Sequence, residues 1–148
     1  MPSKIRVFNA DDHPILRKGI SNLLIDSDEL DWVGSASDGQ EALDKIRSLR
    51  PDIAILDIEM PNHSGVDVAK ILIAEGSKTK FVILTLYKDE TLFHKAMELG
   101  IKGYLLKESD EKEIIDCVIS VGSGMVYVHP TMSQYLISKR TVKNEVLG

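Results

Sequence analysis

Four short apolar runs punctuate the chain, and each stops at a polar residue. Ile5-Arg6-Val7-Phe8-Asn9-Ala10 leads into Asp11-Asp12, and Ile53-Ala54-Ile55-Leu56 into Asp57. Phe81-Val82-Ile83-Leu84 leads into Thr85, and Tyr104-Leu105-Leu106 into Lys107. Apolar runs of about four to six residues bounded by polar groups read as buried strands of a parallel sheet. A further strand is expected around Trp32-Val33-Gly34.

Between the runs lie segments with helical spacing. A first helix is expected over about residues 14–26, with Pro14 in its first turn and Leu16, Ile20, Leu23 and Leu24 on one face. Asp38 or Ser37 can cap a second, in which Ala42, Leu43, Ile46 and Leu49 repeat before Pro51 ends it. A turn-rich loop, Ile58 to Gly65, precedes a helix from about Val66 to Glu75. Leu92, Phe93, Ala96 and Met97 mark a helix near 89–99, with Gly100 its left-handed terminator. The last, from about Asp110, is expected to bury Ile114, Ile115, Val118 and Val121. Alternation of this kind predicts an α/β fold of five βα units with a parallel sheet. Beyond Gly122-Ser123-Gly124 the pattern changes. Tyr127-Val128-His129-Pro130 is expected to be extended, because a residue before proline avoids the helical region. Residues 131–140 suit a short helix, and 141–148 show no periodicity. The expected organisation is one domain over 1–124, followed by a linker or short helical extension over 125–148.

Composition narrows the field. At 148 residues, 43% apolar and 28% charged, the chain can bury one core. A net charge of −5 argues against broad binding of nucleic acid. No apolar stretch approaches the roughly 20 residues of a membrane-spanning helix, and the start lacks a secretory apolar region. No membrane partner and a cytoplasmic location are the expectations. One cysteine, Cys117, offers neither a disulfide framework nor metal-ligand spacing and reads as a small core residue.

In an open parallel sheet, ligands bind beyond the carboxyl ends of the strands. The four runs therefore bring three carboxylates, a hydroxyl and an ammonium to one edge. Asp11, Asp12 and Asp57 would repel one another if ionised and unpaired, and a divalent cation relieves that. Mg²⁺ prefers oxygen ligands in octahedral array and commonly takes one or two carboxylates with phosphate oxygens. The loop after Asp57 can add a backbone carbonyl, with Glu59 the candidate. Asp57 is the candidate nucleophile for an aspartyl phosphate. Lys107 would neutralise the transferred group, and Thr85 can donate its hydroxyl to it. Taken singly, each residue is more often a cap, a turn or a surface group. Coincidence of type and edge across four strands favours a phosphoryl site.

These residues carry a family resemblance. Asp11-Asp12-His13-Pro14, Leu56-Asp57-Ile58-Glu59-Met60-Pro61 with Gly65, Leu84-Thr85 and Gly103-Tyr104-Leu105-Leu106-Lys107 resemble the receiver domain of two-component response regulators, over about residues 4–122. The resemblance implies a flavodoxin-like, doubly wound sheet of five strands in the order 2-1-3-4-5. It implies that Asp57 is phosphorylated by a sensor histidine kinase or phosphotransfer protein, with Asp11 and Asp12 holding Mg²⁺. It also places Thr85 and Tyr104 at the family's switch positions. Asp-Asp-His-Pro, Gly-Tyr-Leu-Leu-Lys-Glu and Val121 to Pro130 are similar to the NarL/FixJ subfamily of transcription regulators. Its members carry a helix-turn-helix DNA-binding domain after such a linker, so DNA binding is expected only through a domain absent here. A shortened chain is expected rather than a natural single-domain protein, and a homodimer is compatible with the pattern.

Two positions depart from the wider family. Leu86 is larger than the small residue common there, which would narrow access to the phosphoryl group. Glu108 replaces a frequent proline, so a cis bond after Lys107 is not expected. His13 could be a ligand, but a helix-start role is the safer reading. His63, His94 and His129 lack metal spacing, Trp32 reads as packing, and Tyr87 as pocket rim. The rival readings are an Mg²⁺-dependent phosphatase, against which Glu59 and the lack of a lid insertion count, and a degenerate receiver acting only by protein interaction. A nucleotide-binding protein is a poorer rival still, for neither G-x-G-x-x-G nor G-x-x-x-x-G-K-[ST] occurs. The expected protein is a switch, not an enzyme.

Overall fold

The computed structural model describes residues 4–86 and 88–136. The strands are β1 (Ile5–Ala10), β2 (Leu30–Ala36), β3 (Ile53–Asp57), β4 (Lys80–Thr85), β5 (Gly103–Leu106) and β6 (Tyr127–Val128). They alternate with α1 (Pro14–Asp26), α2 (Gly39–Leu49), α3 (Gly65–Ala74), α4 (Glu90–Leu99) and α5 (Glu111–Gly122). All pairings are parallel, in the order β2-β1-β3-β4-β5-β6. Every residue of β3 is buried, as expected of a strand covered on both faces.

Side-chain alternation divides the core in two. Phe8, Ala54, Leu56, Phe81, Ile83 and Tyr104 face α2, α3 and α4. Val7, Ile53, Ile55, Val82, Leu84 and Leu105 face α1 and α5. The helix ends follow local chemistry. Asp38, Ser64, Asp89 and Asp110 each accept a hydrogen bond from the backbone N–H three residues on, capping α2, α3, α4 and α5. Gly100 ends α4 at φ +94°, in the left-handed conformation expected of it. α2 stops at Leu49 because Arg50, ahead of Pro51, is left-handed at φ +49°. Ile115 is half-buried, and Cys117 takes the core position beside Ile114.

The expectation of five strands is corrected to six. The chain turns at Gly124 (φ +93°) and runs beside β5, where Tyr127 N–H donates to Lys102 O and His129 N–H to Tyr104 O, both at 2.9 Å. Two residues carry no readable alternation, and only the direction in which α5 returns the chain brings them to that edge. A 3-10 turn, Pro130–Met132, and helical residues 133–136 follow. Met132 is fully buried. The rest of the helix expected to residue 140, the tail 141–148 and Tyr87 lie outside the described residues. Among the described residues no helix is long and apolar enough to cross a membrane.

Candidate phosphoryl and metal site

The strand ends are fixed by bonds that prolong the sheet. Asp11 N–H donates to Ala36 O at 3.1 Å, Ile58 N–H to Leu84 O at 3.0 Å, and Lys107 N–H to Thr85 O at 2.7 Å. Asp11 and Asp57 are each 1% exposed, and Thr85 is fully buried. Lys107 reaches into the same space, with Nζ 2.9 Å from Asp57 Oδ2 and 3.8 Å from Asp11 Oδ2. The structure thus brings Asp11, Asp12, Asp57, Thr85 and Lys107 to one edge.

Burial is the largest influence on Asp57 and raises its carboxyl from 3.8 to about 6. Lys107 beside it opposes that rise, the charge of Asp11 adds to it, and the Glu59 N–H, donating to Asp57 Oδ1 at 3.2 Å, opposes it. Lys107 meets Asp57 as an ion pair, and beyond that charge contact Asp57 Oδ2 and Asp11 Oδ2 are buried acceptors without a hydrogen bond. Two such carboxylate oxygens beside a third aspartate fit a hard divalent cation. Asp11, Asp12, His13 and Asp57 can each offer a ligand atom, all within 4.8 Å of one another, the one such cluster found among the described residues.

His13 is the N-cap residue of α1 and makes no side-chain cap. Its N–H donates to Asp11 Oδ1 at 2.8 Å, and its Nδ1 lies 3.2 Å from that atom and 3.1 Å from Asp12 Oδ1. The helix-start placement and proximity to the acids therefore coincide. Glu59 has an exposed side chain, and its backbone N–H faces Asp57. The loop between them is held by Gly65, whose N–H donates to Ile58 O at 3.1 Å. A Cβ there would run into the carbonyl oxygen of Asp57.

Tyr104 lies behind the edge, fully buried, its ring edge-on to Phe93 at 5.2 Å. Its hydroxyl is buried without a hydrogen-bond partner, and burial pushes its pKa up to about 12. Leu86 is 61% exposed. No cis peptide occurs among the described residues, in line with Glu108 following Lys107. Cys117 is fully buried and its thiol pushed up to about 12 by burial, which removes it as a thiolate nucleophile. His94 lies 3.4 Å from Glu90, and His129 Nε2 lies 2.8 Å from Glu113 Oε2.

Sequence reasoning passed over the residues behind Asp11. Arg17 Nη1 donates to Asp11 O at 2.9 Å, and Asn9 Nδ2 donates to Arg17 O at 3.2 Å. Asn9 Oδ1 accepts from Ser21 Oγ at 3.1 Å and Trp32 Nε1 at 2.8 Å. An asparagine inside an apolar strand run was the available signal, since a buried amide requires partners.

The profile of the response regulator receiver domain matches residues 7–119. The chain is 34% identical over 144 residues to the transcriptional regulatory protein LnrK of Bacillus subtilis (strain 168), covering 97% of this chain and 66% of LnrK. It is 33% identical over 144 residues to the transcriptional regulatory protein DegU of Brevibacillus brevis, covering 97% of this chain and 61% of DegU. It therefore spans less than two thirds of the length of these relatives. Among solved structures, the signal receiver domain of the response regulator NarL from Mycobacterium tuberculosis superposes with a TM-score of 0.80 at 34% identity, over 83% of this chain and 99% of that one.

Proposed function

Because the chain belongs to the response regulator receiver domains, with relatives among transcriptional regulators, we propose that it is a phospho-accepting switch whose acceptor is Asp57. The observation that carries this reading is the buried Asp57–Lys107 pair with Asp11 alongside. An Asp57 oxygen attacks phosphorus, forming the acyl phosphate O–P bond as the donor's bond to phosphorus breaks. The donor is a sensor histidine kinase, a phosphotransfer protein or a small acyl phosphate. Phosphoryl transfer needs chiefly in-line positioning and charge neutralisation, and Lys107 supplies a fixed cation beside the acceptor oxygen. Asp11, Asp12, Asp57 and the Glu59 carbonyl would hold Mg²⁺, which supplies further neutralisation of phosphoryl charge.

The switch follows from the new charge. A phosphoryl group brings close to two negative charges and several acceptor oxygens. It draws the Thr85 hydroxyl toward it, and Tyr104 moves into the space Thr85 vacates. Tyr104 suits that part, since its hydroxyl gains nothing from a hydrogen bond where it lies. The output is control of transcription in the cytoplasm, through a DNA-binding domain of the kind NarL/FixJ proteins carry, with homodimerisation as one route. The protein turns over no substrate beyond its own phosphorylation and dephosphorylation.

Incubation with acetyl phosphate and Mg²⁺ tests the reading by intact-protein mass. One phosphoryl adduct, lost in Asp57→Asn, is expected. Continuous phosphate release from an added monoester would instead mark a phosphatase, and an unchanged mass a receiver used only for protein interaction.

A further inference from the structure

The chain after α5 does not leave the domain at once; it crosses the face built by β5 and α4. Val128 pairs with Tyr104, and the His129 N–H donates to Tyr104 O at 2.9 Å. His129 Nε2 is 2.8 Å from Glu113 Oε2 on α5. Met132, fully buried, joins the apolar cluster that holds Phe93 and Tyr104. Tyr135 then sets its ring 5.8 Å from that of Phe93 and donates its hydroxyl to Lys88 O at 3.1 Å, on the loop between β4 and α4. Phe93 is therefore flanked by two tyrosines, Tyr104 on the sheet and Tyr135 on the crossing segment.

We propose that the α4–β5 face is an intramolecular docking surface, that its occupant is this chain's own segment 127–136, and that docking is linked to the position of Tyr104. The inference rests on the phospho-acceptor reading of Asp57 and adds a regulated occupant to it. The ring series supplies the physical link: a Tyr104 that leaves Phe93 removes the backing on which Tyr135 rests. The same movement disturbs the strand whose carbonyl holds the His129 amide. A segment held by a two-residue strand pairing, the His129–Glu113 contact, one buried methionine, one ring contact and the Tyr135 hydroxyl bond opens at lower cost than the core strands do. Phosphorylation then loosens the segment. By reciprocity, a variant that releases the segment favours the phosphorylated packing by up to the factor by which phosphorylation loosens the segment.

The test uses the full chain with acetyl phosphate, and with beryllofluoride and Mg²⁺ as the stable probe. Amide hydrogen exchange at Tyr127 and His129 is followed by NMR, with β4 amides as internal controls. Phosphorylation is expected to speed exchange at those two amides on the order of tenfold while β4 stays protected. Tyr135→Ala is expected to speed the same amides without phosphorylation and to tighten beryllofluoride binding by up to the factor by which phosphorylation speeds them. Tyr135→Phe, which keeps the ring and loses only the bond to Lys88 O, should move both readouts less. An adduct on Asp57 with unchanged exchange at Tyr127 and His129 overturns the docking link alone. Unchanged beryllofluoride affinity in Tyr135→Ala does the same. Absence of any adduct on Asp57 removes the phospho-acceptor reading, and this inference falls with it.

Discussion

The Lys107 ammonium stands 2.9 Å from Asp57 Oδ2, with the lysine side chain 7% exposed and the aspartate side chain fully buried. A cation and an anion so placed are both withdrawn from water, and each is costly without the other. Asp11, whose Oδ2 lies 3.8 Å from the same ammonium, puts a second carboxylate on one positive charge. The site therefore carries an excess of buried negative charge before any phosphoryl group arrives. That imbalance makes it receptive to a divalent cation, and it yields measurable consequences.

Replacing the acceptor removes one of the excess charges. Asp57→Asn should take up no phosphoryl group from acetyl phosphate, read by intact mass. In metal-free buffer at neutral pH the same variant should be more stable than the parent by about 1–3 kcal/mol, read by urea denaturation, since a carboxyl raised from 3.8 to about 6 is ionised at a cost to the fold.

The sign of the pH dependence is fixed by that raised carboxyl. The folded state holds the Asp57 proton more tightly than the unfolded state does. The contribution to stability is therefore full below the unfolded value of 3.8 and is lost as pH rises through about 6. Metal-free parent protein should lose stability relative to Asp57→Asn over that window. Added Mg²⁺ should recover much of the difference at neutral pH. A difference between parent and variant that stays flat with pH would count against a strained Asp57 carboxylate.

Lys107→Met leaves Asp11 and Asp57 without their shared cation. A loss of about 3–5 kcal/mol is expected at pH 8, above the raised Asp57 value of about 6, in line with breaking a buried pair. The loss should be smaller at pH 5, because protonated Asp57 needs no counter-charge. Phosphoryl uptake should slow at both pH values, measured as the rate of adduct formation.

Thr85→Ala should still take up the phosphoryl group, more slowly, because Asp57, Lys107 and the acids remain. It should lose most of the phosphorylation-dependent change in self-association or partner binding, measured by analytical ultracentrifugation or titration of the partner. Full switching in this variant would remove Thr85 and Tyr104 from the proposed route.

Gly65→Ala places a Cβ against the Asp57 carbonyl oxygen. Relief requires the loop or the end of β3 to move, and a cost of about 1–3 kcal/mol is expected from such overpacking. Because the displaced atom belongs to the acceptor residue, the rate of adduct formation should fall as well, and Mg²⁺ should bind less tightly by calorimetry.

How much of this was legible before the fold was known varies with the physics involved. β3 and Asp57, the cap at Asp38 and the terminator at Gly100 lie where the apolar pattern puts them, because burial and capping act over a few neighbouring residues. The site residues could be collected from distant parts of the chain for a related reason. Each follows a strand, and parallel strands end on one edge.

Contacts set by the path of the whole chain could not be read that way. The strand β6 has two residues and no periodicity, and it exists because α5 delivers the chain beside Tyr104. Tyr135 meets Phe93 across more than forty positions, and Arg17 meets the Asp11 carbonyl only once α1 has docked. The sequence alone determined the apolar runs of β1, β3, β4 and β5, the caps and ends of α2 and α4, and which residue types follow those strands, since hydrophobic period and cap chemistry are local. The tertiary structure alone decided the sixth strand, the raised Asp57 carboxyl and the tyrosines flanking Phe93. Desolvation and long-range pairing depend on what the rest of the chain places nearby.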